Sequence, residues 1–599
     1  MASEKARAGR AGAARYVVGI DLGTTNSILA FAPIDAPADA IEVAPMPQVI
    51  QPAQVEARPL LPSFLYLAGP DERGALDLPW ASGRDFAVGA YARDRGAEVP
   101  ARLVSSAKSW LCQSGIDRTA AILPWGAEHE ERKISPVAAS AAYLTHLRDA
   151  WDAAQRGADG GARLEAQEIY LTVPASFDAA ARELTVRAAA EAGLAGAVLL
   201  EEPQAACYAW IAAAGDAWRR QVRVGDLLLV CDVGGGTTDL SLFAVTEEDG
   251  ELALRRVAVG DHILLGGDNM DLALAYGVRE RLAAKGTALD AWQLRALVHA
   301  CRSAKEALLA AGASERVPIA ILGRARRVVG GALKIDLTRT DVEHVLVDGF
   351  FPALGDDARP ARARRTGLQE IGLPYAADPR TTAHLAAFLD RHRDAGRPTA
   401  VLFGGGVMKA DAIRARVLEV LRGWLGADVR ELAGIDLDQA VARGAAYYGL
   451  ARRGRGIRIR GGAARAYYLG IETAMPAVPG VAPPLKAVCV VPRGMEEGSE
   501  ADLPGQEFGL IVGEPAEFRM FGSSTRDGDP LGAVLDGWDG ALEELAPVVT
   551  TLPWPEHEGT LVPVRLHVHL TEIGTLELWC VARDGDGRWK LEYSVRERQ

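Results

Sequence analysis

The sequence predicts two structural classes in one chain of 599 residues: an α/β domain followed by an all-β, sandwich-like domain. Up to about residue 450, short apolar runs that end in Gly, Asp or Pro alternate with Ala-rich segments of helical spacing. That alternation is typical of a largely parallel sheet covered by helices. Beyond a Gly- and Arg-rich stretch, apolar and polar residues alternate between turn residues, which is typical of an antiparallel sheet with one buried face.

The individual elements follow from the same patterns. The predicted strands of the first part cover residues 16–21, 166–174, 226–233 and 398–406, and the predicted helices cover residues 134–155, 180–194, 291–311 and 411–425. Segment 351–398 is rich in Pro and Arg, and within it residues 381–392 have helical spacing. In the second part, residues 561–570, 575–582 and 588–595 are predicted to form an antiparallel meander.

The composition argues against several classes of protein. With 66 basic and 79 acidic side chains the formal net charge is −13, so we expect no nucleic-acid partner and no attraction to anionic membranes. No run of 18 residues is apolar and free of charge and Pro, which argues against a membrane span. The six cysteines form no C-x-x-C pair, which argues against structural zinc and favours a reducing, cytoplasmic location.

These shifts in composition also predict the domain boundaries. Residues 1–15 lack an apolar core, so we expect a disordered tail and no secretory signal. Residues 16–451 are predicted to form the α/β domain and residues 452–463 a basic linker. Residues 464–599 are predicted to form the all-β domain.

Two segments have the pattern of a phosphate-binding turn. Residues 19–27 (GIDLGTTNS) and 230–241 (VCDVGGGTTDLS) each combine an apolar strand, an Asp and a Gly next to Thr. Glycine lets the backbone approach phosphate oxygens, and successive N–H groups form an anion-binding nest. Asp21 and Asp232 need a cation between themselves and phosphate, which hydrated Mg²⁺ supplies. Asp239 is a further candidate for its water shell.

Two further features narrow the class of nucleotide-binding protein. The chain has no Walker A pattern, G-x-x-x-x-G-K-[ST], so the turns do not indicate a P-loop enzyme. A third glycine cluster, residues 403–411 (FGGGVMKAD), follows a predicted strand and is predicted to open a helix. A helix N-terminus with adjacent glycines suits the close approach of a nucleotide.

In this order, the motifs resemble the actin-like ATPases and, more narrowly, the DnaK-like 70-kDa heat-shock protein family. The resemblance runs from about residue 16 to residue 450. Besides the three glycine-rich motifs it includes residues 171–194 with 201–210, 259–274 and 436–449. It implies an actin-like (ribonuclease-H-like), two-lobed ATPase domain. The second domain resembles the family's β-sandwich substrate domain loosely, at residues 467–473 and 573–582.

The resemblance implies roles for five charged residues. Lys108 occupies the place of the lysine that orients the attacking water. Glu202 matches the catalytic glutamate, and Asp239 matches a second water-orienting carboxylate. Asp21 and Asp232 are implied to hold Mg²⁺, mostly through water. Such a set agrees with phosphoryl transfer to water, which needs charge neutralisation and a positioned nucleophile.

The resemblance also implies a nucleotide-binding set and a coupling pair. The residues implied to bind ATP or ADP are Gly23, Thr24, Thr25, Asn26, Gly234, Gly235, Gly236, Thr237, Gly266, Gly267, Lys305, Gly404, Gly405, Gly406 and Asp438. Pro174 and Arg182 match the residues that couple nucleotide state to the second domain.

The chain departs from the family's pattern at the adenine face. Lys305 is kept, but Arg302 stands where a ribose-binding Glu is expected. Glu306 and Met408 replace arginines that stack on the base, and Leu309 replaces a Ser that bonds it. Each lost guanidinium plane removes roughly 0.5–2 kcal/mol of stacking. We therefore expect weaker nucleotide affinity or a different set of adenine contacts.

The linker and the region after the predicted meander depart as well. Residues 452–463 are basic where the family has a short apolar linker that ends in an acid, so coupling between the domains and to a J-domain partner is in doubt. No helical lid is expected after the strands, and a bound peptide is therefore expected to be released fast.

Several functional hypotheses remain open at the level of sequence. The first is a slow, Mg²⁺-dependent, chaperone-type ATPase that binds unfolded or client polypeptide, or a dedicated partner, through its β-domain. Its further candidate partners are a co-chaperone or a nucleotide-exchange factor. The alternative is a nucleotide-dependent scaffold or sensor with negligible hydrolysis, which the altered adenine face and linker favour. A filament former and a sugar or acetate kinase of the same superfamily remain, although neither carries a fused β-domain.

Overall fold

The computed structural model describes residues 14–72, 74–127, 132–155, 162–248, 251–310, 312, 314–321, 333–361, 372–426, 429–455, 463, 465–474, 484–496, 498–523, 526, 528–538, 541–554, 559–571, 573, 575–584 and 586–594. The chain divides into two compact units, Met1–Arg458 and Ile459–Gln599. Among the described residues, every helix is too short or too polar to cross a membrane.

The first unit mixes strands and helices along its whole length. Its strands are β1 (Tyr16–Leu22), β2 (Asn26–Pro33), β3 (Glu42–Val43), β4 (Met46–Gln51), β5 (Gln54–Arg58), β6 (Leu61–Pro62), β7 (Leu65–Leu67), β8 (Phe86–Val88), β9 (Leu103–Val104), β10 (Glu168–Val173), β11 (Val198–Glu201), β12 (Leu227–Val233), β13 (Thr238–Glu248), β14 (Glu251–Val259), β15 (Arg316–Ile321), β16 (Leu333–Thr338), β17 (Ala400–Gly404) and β18 (Arg430–Glu431).

The helices of the first unit lie between these strands. They are α1 (Ala90–Glu98), α2 (Ala107–Trp110), α3 (Pro136–Ala154), α4 (Ala179–Glu191), α5 (Glu202–Ala214), α6 (Trp218–Gln221), α7 (Gly267–Ala284), α8 (Ala291–Leu309), α9 (Arg339–Glu343), α10 (Thr381–Arg391), α11 (Asp411–Leu425) and α12 (Ala440–Arg452). Short 3₁₀ turns cover Ala38–Ala40, Pro70–Glu72, Pro100–Arg102, Leu164–Ala166, Gly215–Ala217, Arg393–Ala395 and Gly406–Lys409, and a π-helical turn covers His344–Asp348.

Two sheets of the first unit repeat one strand order. The first runs β3-β2-β1-β10-β11, with β6 also paired to β2, and the second runs β14-β13-β12-β17-β18. In each sheet the first three strands are antiparallel and the last two run parallel to the central strand. Because β1 and β12 are equivalent, Asp21 and Asp232 near their carboxyl ends occupy equivalent positions.

The two central strands are buried, and helices contact strands of both sheets. In β1, Val17, Val18 and Ile20 have no exposed surface, and in β12 Leu229 and Val230 are buried equally completely. A continuous apolar run of this kind is typical of parallel-type sheets with two covered faces. The predicted strands and helices of the α/β part are confirmed by β1, β10, β12 and β17 and by α3, α4, α8 and α11.

Glycines let α12 pack closely against its neighbours. A Cβ on Gly444 would overlap the backbone carbonyl oxygen of Ala205 in α5. A Cβ on Gly449 would lie 2.7 Å from Cε2 of Tyr170 and 3.0 Å from Cβ of Val17. Glycine at these two positions therefore lets α12 lie closer to α5 and to the first sheet than any larger residue would allow.

The second unit consists of antiparallel strands. They are β19 (Ala466–Glu472), β20 (Leu485–Val491), β21 (Ser499–Asp502), β22 (Phe508–Val512), β23 (Pro515–Phe518), β24 (Met520–Ser523), β25 (Val534–Asp536), β26 (Glu543–Glu544), β27 (Val548–Thr551), β28 (Thr560–Leu570), β29 (Thr575–Ala582) and β30 (Arg588–Ser594). One sheet runs β25-β20-β19-β24-β26 and the other β21-β28-β29-β30, with β22 also on β28 and a separate β23-β27 pair.

Side chains from both of the larger sheets share one apolar core in the second unit. Val488 and Val490 of β20 pack in the same cluster as Val564, Leu566 and Leu578 of the other sheet. The period-2 alternation in β28 buries every second side chain, as the sequence predicts. The meander β28-β29-β30 is thus confirmed.

Three predicted features differ from the structure or lie outside it. The helix after the third glycine cluster begins at Asp411 rather than directly after the glycines, because a 3₁₀ turn (Gly406–Lys409) comes first. Arg452, predicted to start the linker, is the last residue of α12, and residues 456–462 are outside the described ranges. Residues 1–13 of the predicted tail lie outside the described ranges. Residues 362–371 of segment 351–398 also lie outside them.

The packing of α12 makes a stability prediction. We expect Gly444→Ala to lower the free energy of unfolding of the first unit by about 1–3 kcal/mol, because the methyl group overlaps a backbone carbonyl that cannot move alone. The matched control is Gly423→Ala in α11, where a Cβ meets nothing within 4 Å. That change should stabilise the unit by about 0.5–1 kcal/mol. Urea unfolding with a wild-type midpoint for Gly444→Ala would contradict the prediction.

Candidate functional site

The two predicted phosphate loops face each other. Residues 23–25 join β1 to β2, and residues 234–237 join β12 to β13. A Cβ on Gly236 would lie 2.9 Å from Cγ2 of Thr24 and 3.0 Å from Oγ of Ser109, and one on Gly235 would overlap Oγ1 of Thr25. The two halves of the unit thus contribute one loop each to a single cleft, where only glycine fits.

A serine that the sequence patterns do not single out shapes the first loop. Oγ of Ser63 donates to the carbonyl of Gly23 at 2.7 Å, and its backbone N–H donates to the carbonyl of Thr25 at 2.9 Å. The hydroxyls of Ser27 and Ser63 are 2.9 Å apart. Asn26 is half-buried at the start of β2, opposite Pro62 of β6. These bonds fix the loop carbonyls and leave the Thr24 and Thr25 hydroxyls at the cleft.

The second loop is tied to the start of α7. The N–H of Gly234 donates to the carbonyl of Thr237 at 2.9 Å, which closes the turn. The N–H groups of Gly267 and Asp268 donate to the carbonyls of Gly234 and Gly235 at 3.0 and 2.8 Å. A Cβ on Gly266 would lie 2.6 Å from the carbonyl oxygen of Gly234. Gly266 and Gly267 therefore support the loop, and in this structure the Gly267 N–H is not free for phosphate.

The third glycine cluster lies against Asp232. Asp232 pairs with Gly404 between β12 and β17, and a Cβ on Gly404 would lie 2.7 Å from Oδ2 of Asp232. Gly405 has a φ of 81°, and a Cβ built on it would collide with Oδ1 of the same Asp232. Both its backbone conformation and its close packing therefore require glycine. Gly406 is more open, with nothing within 4 Å of a Cβ built on it.

Lys108 and Glu202 form a largely buried ion pair at the cleft. The Lys108 ammonium bonds Oε1 of Glu202, and the two side chains are 10% and 14% exposed. Lys108 is the second residue of the short helix α2, which begins directly after Ser106, whose φ of 54° is in the left-handed region. Glu202 is the first residue of α5. The structure brings together two residues 94 positions apart that the sequence places only by resemblance.

The charges of the cleft perturb one another. Burial raises the pKa of Glu202, Asp21 and Asp232, the last to about 7, and the neighbouring carboxylates add to the rise for Glu202 and Asp232. Burial alone would lower the pKa of Lys108, but Glu202 and Asp21 raise it overall. Oγ1 of Thr172 donates to Oδ1 of Asp21 at 3.2 Å. Ionisation of these three carboxylates together is therefore costly even with Lys108 beside them, and a further cation would offset that cost.

The predicted adenine face is occupied by an ion-pair network. Arg302 bonds Asp268 and lies 2.7 Å from Oδ2 of Asp271, whereas Lys305 lies 2.6 Å from Oδ1 of Asp271. Asp271 has no exposed surface. Among the neighbouring positions, Glu306 is exposed, Leu309 packs against the apolar core and Met408 is fully buried in it. Because Met408 has no exposed surface, its side chain is a packing residue in this structure.

Asp438 lies near the start of α12 in an ion pair. Lys409 Nζ is 2.7 Å from Oδ2 of Asp438, and the Asp438 N–H donates to Oδ1 of Asp436 at 2.9 Å. Lys409 belongs to the third glycine cluster, so the structure connects Asp438 to that cluster.

The predicted coupling residues adjoin a buried contact between the two sheets of the first unit. Pro174 follows β10 directly. Arg182 of α4 donates to the carbonyl of Ala175 at 3.0 Å and pairs with Glu201 at 3.4 Å. Glu201 has no exposed surface and also bonds Arg256 of β14 in the second sheet. A movement of one sheet against the other would therefore strain this Arg-Glu-Arg contact.

The raised carboxylate pKa predicts a pH dependence of stability. In the unfolded chain Asp232 titrates near its ordinary pKa of about 4. Because the folded pKa is about 7, the contribution of Asp232 is greatest below pH 4 and is lost as pH rises to 7 and beyond. We expect the melting temperature of the nucleotide-free protein, relative to that of Asp232→Asn, to fall between pH 5 and pH 8.

Asp226, just before the same strand, is the matched control. Burial alone would raise its pKa, but the Arg223 N–H, Arg430 and Thr399 lower it overall. Its contribution is therefore lost only on acidification below pH 4. We expect the effect of Asp226→Asn on the melting temperature to be constant between pH 5 and pH 8. A pH-independent difference for Asp232→Asn as well would show that Asp232 is ionised throughout.

Comparisons with known proteins place the chain among heat-shock proteins. A family model described as Hsp70 protein matches residues 114–352. The chaperone protein HscA of Enterobacter is 32% identical over 299 residues, which are 49% of this chain and 42% of that protein. The HscA homologs of Bordetella pertussis and Acidithiobacillus ferrooxidans are 30% and 29% identical over 72% of this chain and 57% and 58% of theirs.

The chain spans about half of the length of these curated relatives. The residues matched by the family model include Glu202, Asp232 and the second phosphate loop. With the paired glycine-rich loops in the expected order, these matches show that the chain belongs to the Hsp70 family.

Proposed function

We propose that this chain is a slow, Mg²⁺-dependent ATPase of the Hsp70 chaperone type. Its first unit is an actin-like, two-lobed domain that binds ATP or ADP between the two phosphate loops. Its second unit is a β-sandwich that binds unfolded polypeptide or a dedicated protein partner. The observation that carries the proposal is the buried Lys108–Glu202 pair in a cleft lined by two facing glycine-threonine loops.

The cleft suits a triphosphate with its cation. Gly235, Gly236 and Gly405 let their loops pack against neighbouring protein atoms more closely than any side chain would allow. Such glycine-rich turns expose successive backbone N–H groups to which phosphate oxygens can bind. Among the described residues no group of three or more His, Cys, Asp and Glu is arranged to hold a metal directly. Asp21 and Asp232 instead suit Mg²⁺ held mostly through water, since Mg²⁺ keeps several waters and shares phosphate oxygens. When bound, Mg²⁺ neutralises charge on the phosphates.

The remaining residues perform tasks that hydrolysis requires. Lys108 places a positive charge and N–H donors in the cleft, where they hold a water and neutralise charge that develops on the transferred phosphoryl group. Glu202 keeps the Lys108 ammonium in place and charged. Asp239, at the start of β13, supplies a carboxylate on the other side of the cleft.

The first test is single-turnover hydrolysis of labelled ATP with Mg²⁺ by the full chain. We expect slow hydrolysis that Lys108→Ala lowers by about 10²–10³-fold, because a charge preorganised for the transition state is lost. Asp232→Asn should also lower it, through weaker Mg²⁺ binding. Calorimetric binding of Mg²⁺–ADP by the Lys108 variant shows that it folds.

Lys285→Ala is the control for this test, since Lys285 is exposed at the end of α7. It should hydrolyse ATP at the wild-type rate. Saturable nucleotide binding without wild-type turnover would instead favour a nucleotide-dependent scaffold or sensor. The ion pairs of Arg302 with Asp268 and Asp271 are the observation that favours this second candidate, because they occupy side chains that an adenosine contact would need.

An apolar strip on the second unit is the proposed contact for polypeptide. Ile511 of β22 and Leu561 of β28 are directly opposite each other and are 47% and 68% exposed. Within the described residues β22 pairs with β28 alone, and its other edge is the proposed place for an added strand. An extended peptide binds to such an edge by main-chain hydrogen bonds, with apolar side chains providing affinity.

We expect the double change Ile511→Ser and Leu561→Ser to weaken binding of a labelled extended apolar peptide to the full chain by at least about tenfold. Burial of two such side chains contributes more than that factor requires. The control is Val549→Ser, which removes a 66% exposed apolar side chain from the separate β23-β27 pair. Fluorescence anisotropy that gives equal affinity for the double variant and the wild type would place the peptide elsewhere.

A further inference from the structure

A short hydrogen-bond chain leads from His262 to Asp239. Oγ of Ser176 donates to Oδ1 of Asp239 and lies 2.8 Å from Nδ1 of His262. Ser176 is in the loop between β10 and α4, Asp239 is the second residue of β13, and His262 lies between β14 and α7. The chain therefore joins the loop after a strand of the first sheet to two segments that flank the second sheet.

The direction of each hydrogen bond in the chain follows from chemistry. A carboxylate only accepts, so the hydroxyl hydrogen of Ser176 points to Asp239. The serine oxygen can then accept from His262, which places the ring proton of a neutral imidazole on Nδ1. All hydrogens of the chain point toward Asp239, whose Oδ2 receives no hydrogen bond from the described residues.

The surroundings of His262 favour the neutral ring. It contacts the Phe177 ring edge to face, with centroids 5.8 Å apart. Burial lowers the pKa of His262, although Asp239 opposes the shift. Within the described part of the protein, Nε2 of His262 is buried and has no hydrogen-bond partner, a costly arrangement for a polar atom. Because Nδ1 is the ring nitrogen that has a hydrogen-bond partner, we expect the role of His262 to lie in that contact with Ser176.

We propose that Ser176 and His262 are positioning residues that fix the carboxylate of Asp239 for the attacking water. The inference deepens the proposed function and rests on it. The Ser176 hydroxyl occupies Oδ1, so that Oδ2 faces a water in one orientation. His262 keeps the serine hydroxyl from rotating away. Because Ser176 and Asp239 belong to different halves of the unit, the water is positioned only while the two halves stand as they do here.

The proposal predicts a loss of hydrolysis without a loss of binding. We expect Ser176→Ala and His262→Leu each to slow single-turnover hydrolysis about tenfold, the factor typical of one hydrogen bond to a charged group. Their affinity for Mg²⁺–ADP should remain within about twofold of the wild type, since neither residue lies in the phosphate loops. The conservative variants Ser176→Thr and His262→Asn retain a hydroxyl and a donor and should recover most of the rate.

The hydrolysis rates of these variants distinguish a positioning role from a packing defect. Wild-type rates in Ser176→Ala and His262→Leu would overturn the positioning role. Equal losses in the conservative and the non-conservative variants would do so too, because a packing defect alone would then explain them. A wild-type protein that binds but does not hydrolyse ATP would overturn the proposed function, and the positioning role with it.

A second measurement tests the chain without hydrolysis. Long-range ¹⁵N–¹H spectra of the full protein with labelled histidine distinguish the two neutral tautomers of His262. We expect the Nδ1-protonated form, and we expect Ser176→Ala to change the ring ¹⁵N shifts of His262. An Nε2-protonated ring would reverse the direction of the hydrogen bonds and refute the chain whatever the hydrolysis rate.

Discussion

The arrangement of the first unit depends on one electrostatic constraint, the collection of carboxylates around Lys108. Asp21, Asp232 and Glu202 all have raised pKa, and burial is the largest cause for each. Such a cluster destabilises a folded protein unless cations compensate it. Lys108 provides one such cation from within the chain through its ion pair with Glu202. On the function proposed above, a bound cation would complete the compensation of these carboxylates.

The repeated sheet explains why these carboxylates meet. Each half carries the order of three antiparallel strands followed by two parallel ones, so each half presents an acid near the carboxyl end of its central strand. The loops after those strands then face each other, and the segments around them add the lysine and the serines. The same facing arrangement makes the site sensitive to movement between the halves, because the Arg182–Glu201–Arg256 contact and the Ser176–Asp239 bond both connect them.

Features that depend on a local pattern of residues could be predicted from the sequence. Period and turn residues predict β1, β12 and the meander of the second unit, and the repeated Asp-Gly-Thr pattern predicts the two loops. Lys108 and Glu202 are ordinary helical residues by pattern, and they became candidates through resemblance alone. Ser63, Ser176 and His262 could not be predicted, because their partners are distant in sequence and the fold alone brings them together. For the same reason, the pairing of Arg302 with Asp268 and Asp271 is visible only in the structure, where those acids lie one turn of α7 apart.

The glycine-mediated packing of α12 has a consequence for synthesis of the chain. This helix covers β1, which lies far earlier in the chain, and also contacts β2, β10 and α5. Translation proceeds at about 5–20 residues per second, so β1 waits tens of seconds for the helix that buries it. During that interval the nascent first half exposes an apolar strand that native packing later covers. While it is being synthesised, this chain therefore needs protection of its exposed apolar strand for tens of seconds, although it belongs to a chaperone family itself.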